Sequence, residues 1–108
     1  MQPEEGIDLL RAMWRIRVFE ERVGALTRAN EVHGLIHLSL GQEGVAVGEG
    51  GALRDDDAVY SNHRAHGHAL AKGAPLVSVM AELMGREGGL CHGMGGSMHL
   101  VDVEHGFL

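Results

Sequence analysis

The sequence predicts an α/β fold, of which these residues form an N-terminal, mostly helical part. Residues 8–30 and 75–85 repeat apolar residues at the three- and four-residue spacing of an amphipathic helix. Residues 58–61 form a short apolar run that predicts one strand. From residue 86 the chain is a glycine-rich loop, and a natural domain rarely ends soon after a long loop. We therefore expect residues 1–108 to be a single partial domain, whose parallel sheet is completed by residues beyond this chain.

The first predicted helix spans residues 8–30. Its apolar stripe is formed by Leu9, Met13, Ile16 and Val23. Asp8 is a suitable N-cap, because its short side chain can accept a free backbone N–H of the first turn. Asn30 is a typical stop signal. The adjacent pair Glu20 and Glu21 is expected on the polar face, together with the arginines of this segment.

Small residues predict a second helix over residues 42–53. It contains Gly44 and Gly48, four residues apart and therefore on one face. Glycine weakens an isolated helix by about 1 kcal/mol relative to alanine. We therefore expect this face to pack tightly against a neighbour such as another subunit.

The middle of the chain predicts two shorter helices after the strand at residues 58–61. One spans residues 63–72 and ends at Gly73. The other begins with Pro75, which suits a first helical position, and ends at Gly85.

Composition excludes several classes of function. The formal net charge is −6 at neutral pH, so we expect no nucleic-acid partner, because phosphate backbones require a basic face. No apolar stretch approaches the roughly 20 residues needed to span a bilayer, so no membrane span is predicted. Cys91 is the single cysteine, which suits a reducing cytoplasm.

Residues 63–68 form the densest polar cluster and directly follow the predicted strand. In α/β proteins, ligands gather where a strand ends and the next helix begins. Arg64 offers a planar set of donors suited to phosphate, and His63 adds another donor. The cluster is therefore consistent with a diphosphate site, but a solvated helix start explains the same spacing.

Three other patterns leave alternatives open. His63, His66 and His68 could bind zinc, although positions five apart do not share a helix face. His37 lies among apolar residues and is either a core residue or a proton carrier at the rim of an active site. The glycine-rich loop at residues 91–99 either approaches a ligand or is a flexible surface loop.

Taken in order, five motifs resemble one family. They are Phe19-Glu20-Glu21-Arg22, the segment His37 to Glu43, the segment His63 to Gly67, Met80-Ala81-Glu82-Leu83, and the segment Gly93 to His99. The series is similar to the N-terminal part of the α subunit of thiamine-diphosphate-dependent 2-oxo acid dehydrogenases, the E1 component of pyruvate and acetoin dehydrogenase complexes. The resemblance extends from about Asp8 to Leu108.

The resemblance implies a thiamine-diphosphate-binding fold and a cytoplasmic enzyme that cleaves a 2-oxo acid or acetoin. It implies thiamine diphosphate and Mg²⁺ as cofactors, an E1 β subunit in an α2β2 assembly, and transfer of the acyl group to a lipoyl-bearing E2 component. It assigns His63 and Arg64 to the cofactor diphosphate, and His37 and His66 to catalysis. No metal ligand is expected in this chain, because the family's magnesium motif, Gly-Asp-Gly, would follow Leu108.

Two departures from the family concern its active site. His63 replaces the tyrosine of the pyruvate branch, as in acetoin-type members. His92 and Met94 stand where many relatives have lysines. We expect this chain alone to be inactive. A small histidine-rich metal-binding module and a non-catalytic helical fragment remain as alternatives.

Overall fold

The computed structural model describes residues 1–108 as four α-helices joined by loops, with two single 3₁₀ turns near the end. The helices are α1 (Pro3–Arg28), α2 (Glu43–Ala52), α3 (His66–Lys72) and α4 (Leu76–Leu83), and the 3₁₀ turns are Ser97–His99 and Val103–His105. The predicted helical character is thus confirmed, and there is no β-sheet, only two isolated bridges.

α1 begins at Pro3, five residues before the predicted start at Asp8. Proline suits this position because the first helical N–H has no intrahelical partner to lose. The side chain of Glu5 then accepts the N–H of Gln2 at 3.1 Å. The prediction that Asp8 caps the helix is therefore wrong, and Asp8 instead pairs with Arg11 on the helix surface at 2.9 Å.

The core forms where α1 packs against α2 and α3. α1 contributes the buried apolar side chains of Ile16, Phe19, Val23 and Leu26. A Cβ atom built on Gly50 would lie 3.2 Å from the carbonyl oxygen of Ala71, so this glycine allows α2 and α3 to approach closely. Gly44 and Gly48 are exposed, and nothing lies within 4 Å of a Cβ at Gly48. No segment of this chain packs closely on these two glycines, and their packing against another subunit stays a prediction.

The predicted strand at residues 58–61 is reduced to one bridge. Val59 pairs in parallel with Phe107, and its N–H donates to the carbonyl oxygen of Gly106 at 2.8 Å. The prediction of a strand here is wrong, because a strand requires a partner segment and only one residue of this run finds one.

α3 begins at His66, three residues later than predicted. The Asn62 side-chain oxygen accepts the N–H of Arg64 at 2.9 Å and so stabilises a turn where the helix was expected to start. The predicted end is confirmed, since Gly73 adopts φ +116° directly after the helix. Pro75 flanks α4 as its N-cap and is not its first residue.

One apolar stripe of α1 remains outside the core. Leu10, Trp14 and Val18 are 53%, 59% and 60% exposed. Trp14 and Val18 line a groove of about 490 Å³ between α1 and α4. None of the helices combines the length and the apolar character needed to cross a membrane.

Candidate functional site

Three of the four predicted site residues lie together on the surface. The rings of His37 and His63 meet edge to face, with centroids 4.7 Å apart and planes at 81°. Arg64 Nη1 donates a hydrogen bond to the carbonyl oxygen of Leu38, at 2.5 Å. Two loop segments, 26 positions apart in sequence, are thereby joined into one cluster of His37, His63 and Arg64.

The charge of Arg64 is not balanced within the chain. Arg17 and Arg64 are the two partly buried arginines. Arg17 forms an ion pair with Glu43, which raises the pKa of Arg17, whereas Arg64 contacts only a carbonyl oxygen. A partly desolvated guanidinium without a carboxylate favours an anionic ligand that completes its remaining donors.

The fourth predicted site residue, His66, does not join this cluster and lies in the core. It is fully buried, with Nδ1 2.6 Å from Glu20 Oε1 and Nε2 2.6 Å from Ser97 Oγ. Both ring nitrogens are thus occupied, and neither is open to a substrate. The predicted catalytic role of His66 remains a prediction.

Glu20 lies in the core and not on the polar face of α1, so that expectation is wrong. Its carboxylate bonds His66 and also accepts the backbone N–H of Ser39 at 3.3 Å. The signal was present in the sequence: Glu20 is four residues after Ile16 and three before Val23, both on the buried stripe.

Glu82 organises the glycine-rich loop. Its buried carboxylate accepts the backbone N–H groups of Cys91, Gly93, Gly95 and Gly96, at distances of 2.5 to 3.0 Å. Burial alone would raise the pKa of Glu82, but these donors outweigh it and hold the pKa below its usual range. Sequence analysis missed this residue, although an acidic side chain within the apolar stripe of α4 is a usable signal.

The loop therefore has its own internal anion. It was expected either to approach a ligand or to be flexible, and the structure shows it folded around the Glu82 carboxylate. A Cβ at Gly93 would lie 2.5 Å from the carbonyl carbon of Gly85, so this position admits only glycine without a shift of the backbone. The four N–H groups that donate to Glu82 are therefore not available to a bound phosphate.

The surface cluster is open. A cavity of about 360 Å³ lies between the glycine-rich loop and residues 33–35. His37, His63 and Arg64 do not line this cavity. A ligand held by these three side chains would be enclosed only with the help of further polypeptide.

The geometry does not support the zinc alternative. His66 would have to join His63 and His68, but its nitrogens bind Glu20 and Ser97. No group of three or more His, Cys, Asp or Glu side chains is placed to hold a metal ion.

Comparison with known proteins identifies the family. The sequence profile of the family described as dehydrogenase E1 component matches residues 11–108. The chain belongs to this family. The resemblance inferred from the five motifs is thereby confirmed.

Curated relatives agree with the assignment. The chain is 44% identical, over 97% of its length, to the α subunit of acetoin:2,6-dichlorophenolindophenol oxidoreductase of Bacillus subtilis, and covers 32% of that protein. It is 49% identical, over 96% of its length, to the α subunit of the pyruvate dehydrogenase E1 component of Zymomonas mobilis, and covers 30% of it. The corresponding subunit of Rhizobium meliloti is 46% identical over 96% of the chain, which covers 30% of it. The chain thus spans about a third of the length of these relatives.

Proposed function

We propose that this chain is the N-terminal, cofactor-facing part of an E1 α subunit of the pyruvate or acetoin dehydrogenase type. In this proposal, residues 1–108 are part of an α/β thiamine-diphosphate-binding domain, whose parallel sheet lies outside the chain. The supporting observation is the unbalanced charge of Arg64, a partly buried guanidinium that bonds a carbonyl oxygen and no carboxylate.

The surface cluster fits the diphosphate of thiamine diphosphate. Arg64 uses Nη1 to anchor itself on Leu38, which leaves Nε and Nη2 for phosphate oxygens. His63 is exposed and adds an imidazole donor beside it. Mg²⁺ would neutralise the remaining charge, and its ligands are expected in the family's Gly-Asp-Gly motif, outside this chain.

The chain's own residues then have distinct roles. Thiamine diphosphate, when bound, supplies an electron sink for carbanion chemistry. Arg64 and His63 bind its diphosphate and fix its position. His37 is half-buried against His63, where its ring can hold or release a proton at the edge of the site.

The proposed substrate is a 2-oxo acid such as pyruvate, or acetoin, and the acyl product passes to a lipoyl group on an E2 component. The proposed assembly is α2β2 with an E1 β subunit, in the cytoplasm. The open site and the exposed stripe of Leu10, Trp14 and Val18 support this proposal, since both require further protein to cover them. The names of relatives include both pyruvate and acetoin enzymes, so the proposal covers both substrates.

Titration calorimetry with thiamine diphosphate and Mg²⁺ tests the proposal. The material is the natural polypeptide, purified with any subunit that accompanies it. Arg64→Ala should weaken binding about 10- to 100-fold, since it removes a charge-assisted contact. Arg22→Ala is the matched control, because Arg22 is exposed on α1 and has no carboxylate partner.

Two results would contradict the proposal. One is unchanged cofactor affinity in Arg64→Ala. The other is the absence of binding by the natural protein with its partner subunit present, which would favour the non-catalytic alternative.

A further inference from the structure

Glu20, His66 and Ser97 form a buried series of hydrogen bonds, here called the relay, that connects four separate segments of the molecule. Glu20 of α1 bonds the His66 ring of α3 and the backbone N–H of Ser39. On its other side, the ring of His66 meets Ser97 in the glycine-rich loop. The side chains of Glu20 and His66 are fully buried, and Ser97 is 5% exposed. Buried polar groups lower the stability of the fold unless each of them has a hydrogen-bond partner.

One proton arrangement of this relay satisfies all of its donors and acceptors. In it, the Glu20 carboxylate accepts from Ser39 N–H and from Nδ1–H of His66. The Ser97 hydroxyl, which has no other partner, donates to Nε2. The neutral Nδ1–H tautomer of His66 thus satisfies every member of the chain. No buried side-chain nitrogen or oxygen lacks a partner.

The relay lies directly behind the surface cluster. Ser39 follows Leu38, the residue that holds Arg64, and its hydroxyl donates to the carbonyl oxygen of Arg64 at 3.4 Å. The same hydroxyl accepts the N–H of Gly67 at 3.4 Å. His66 is two residues after Arg64. Both segments of the cluster are therefore fixed from the inside by the Glu20–His66–Ser97 relay.

We propose that Glu20, His66 and Ser97 are positioning residues, which hold the segments bearing His37 and Arg64 in register and couple them to the glycine-rich loop. The role in cofactor binding rests on the function proposed above, whereas the positioning of the two segments does not. His66 acts through its neighbours and does not touch the ligand.

Hydrogen–deuterium exchange of the natural protein without cofactor gives the first readout. Ser97→Ala removes the hydroxyl and should speed exchange in residues 37–40 and 63–67 by about tenfold, the equivalent of one lost hydrogen bond. Val79→Ala is the matched control, because Val79 is fully buried in α4 and makes no contact with the relay through a polar atom. It should lower global stability without selective exchange in these two segments.

Calorimetry with thiamine diphosphate and Mg²⁺ gives the second readout. Ser97→Ala should weaken affinity about tenfold, because the segment that bears Arg64 is held less firmly. Ser97→Cys, a near-isosteric change with a weaker donor, should show smaller shifts in the same direction and serves if the alanine variant does not fold.

The outcomes separate the two proposals. The positioning role would be overturned if both Ser97 variants had the same exchange rates in these segments, and the same affinity for thiamine diphosphate, as Val79→Ala. Selective exchange in Ser97→Ala, together with no thiamine diphosphate binding by the wild-type protein, would overturn the proposed function and leave the positioning role standing.

Discussion

The carboxylate of Glu82 lies inside the glycine-rich loop, with Oε2 accepting the N–H of Gly96 at 3.0 Å. Gly95 donates to the same oxygen at 2.8 Å, and Gly93 and Cys91 donate to the other. One side chain of α4 thus accepts four backbone N–H groups that would bond carbonyl oxygens in a helix or a sheet. The conformation of the loop, and with it the place of Ser97, depends on Glu82.

Replacing Glu82 by glutamine should destabilise the protein by about 3 kcal/mol. The amide keeps the shape of the side chain but turns an NH₂ donor towards backbone N–H groups, and hydrogen bonds to charged acceptors contribute about 1.5–3 kcal/mol each. Urea unfolding followed by circular dichroism measures the change. Glu87→Gln, an exposed change in the same loop, should stay within about 0.5 kcal/mol. Equal stability of the two variants would contradict the role of Glu82.

Acid should weaken the fold through two carboxylates. The hydrogen bond from Arg17 lowers the pKa of Glu43, and the backbone donors of the loop lower the pKa of Glu82 against the effect of burial. A lowered folded-state pKa stabilises the protein above the unfolded pKa of about 4.3, and this stabilisation is lost as pH falls through the folded value. Stability measured in urea should therefore fall below about pH 4.5.

The variant Glu82→Gln provides the control for this pH dependence. It should show a shallower loss of stability below about pH 4.5 than the wild type, because one linked carboxylate is absent. The same slope in both proteins would show that Glu82 does not contribute.

Two glycine substitutions should have opposite effects. Gly93 has φ +80°, and an added Cβ would lie 2.5 Å from the Gly85 carbonyl carbon, so Gly93→Ala should cost about 2 kcal/mol or more. Gly48 lies in a helix with open space around it, so Gly48→Ala should stabilise by about 0.5–1 kcal/mol. Thermal unfolding of both variants measures the difference. Destabilisation by Gly48→Ala would show that this face is covered in the natural protein.

A zinc-binding measurement distinguishes the proposed function from the alternative of a histidine-rich metal-binding module. Because the nitrogens of His66 are engaged by Glu20 and Ser97, equilibrium dialysis should find less than one tightly bound zinc per chain. A stoichiometric zinc ion that is lost in His66→Gln would support a metal-binding module and contradict the relay.

Local sequence patterns predicted the helices well, because their signals lie within a few residues. α2 at Glu43–Ala52 and the end of α3 at Gly73 agree with prediction. The early start of α1 has a local signal in Pro3, the first residue of the helix. The run at residues 58–61 failed as a strand because its pairing depends on Phe107, far along the chain.

The sequence motifs indicated which residues belong to the candidate site, but not the directions in which their side chains point. The motifs named His37, His63 and Arg64, and the structure brings them together. No local pattern shows that His66, two residues after Arg64, turns inward to meet Glu20, because that contact joins residues 46 positions apart.

A structure of the natural protein crystallised with thiamine diphosphate and Mg²⁺ tests the central claim most directly. We expect a diphosphate oxygen at about 2.8 Å from the Arg64 guanidinium. Cofactor bound elsewhere, with no contact between its diphosphate and Arg64, would contradict the account.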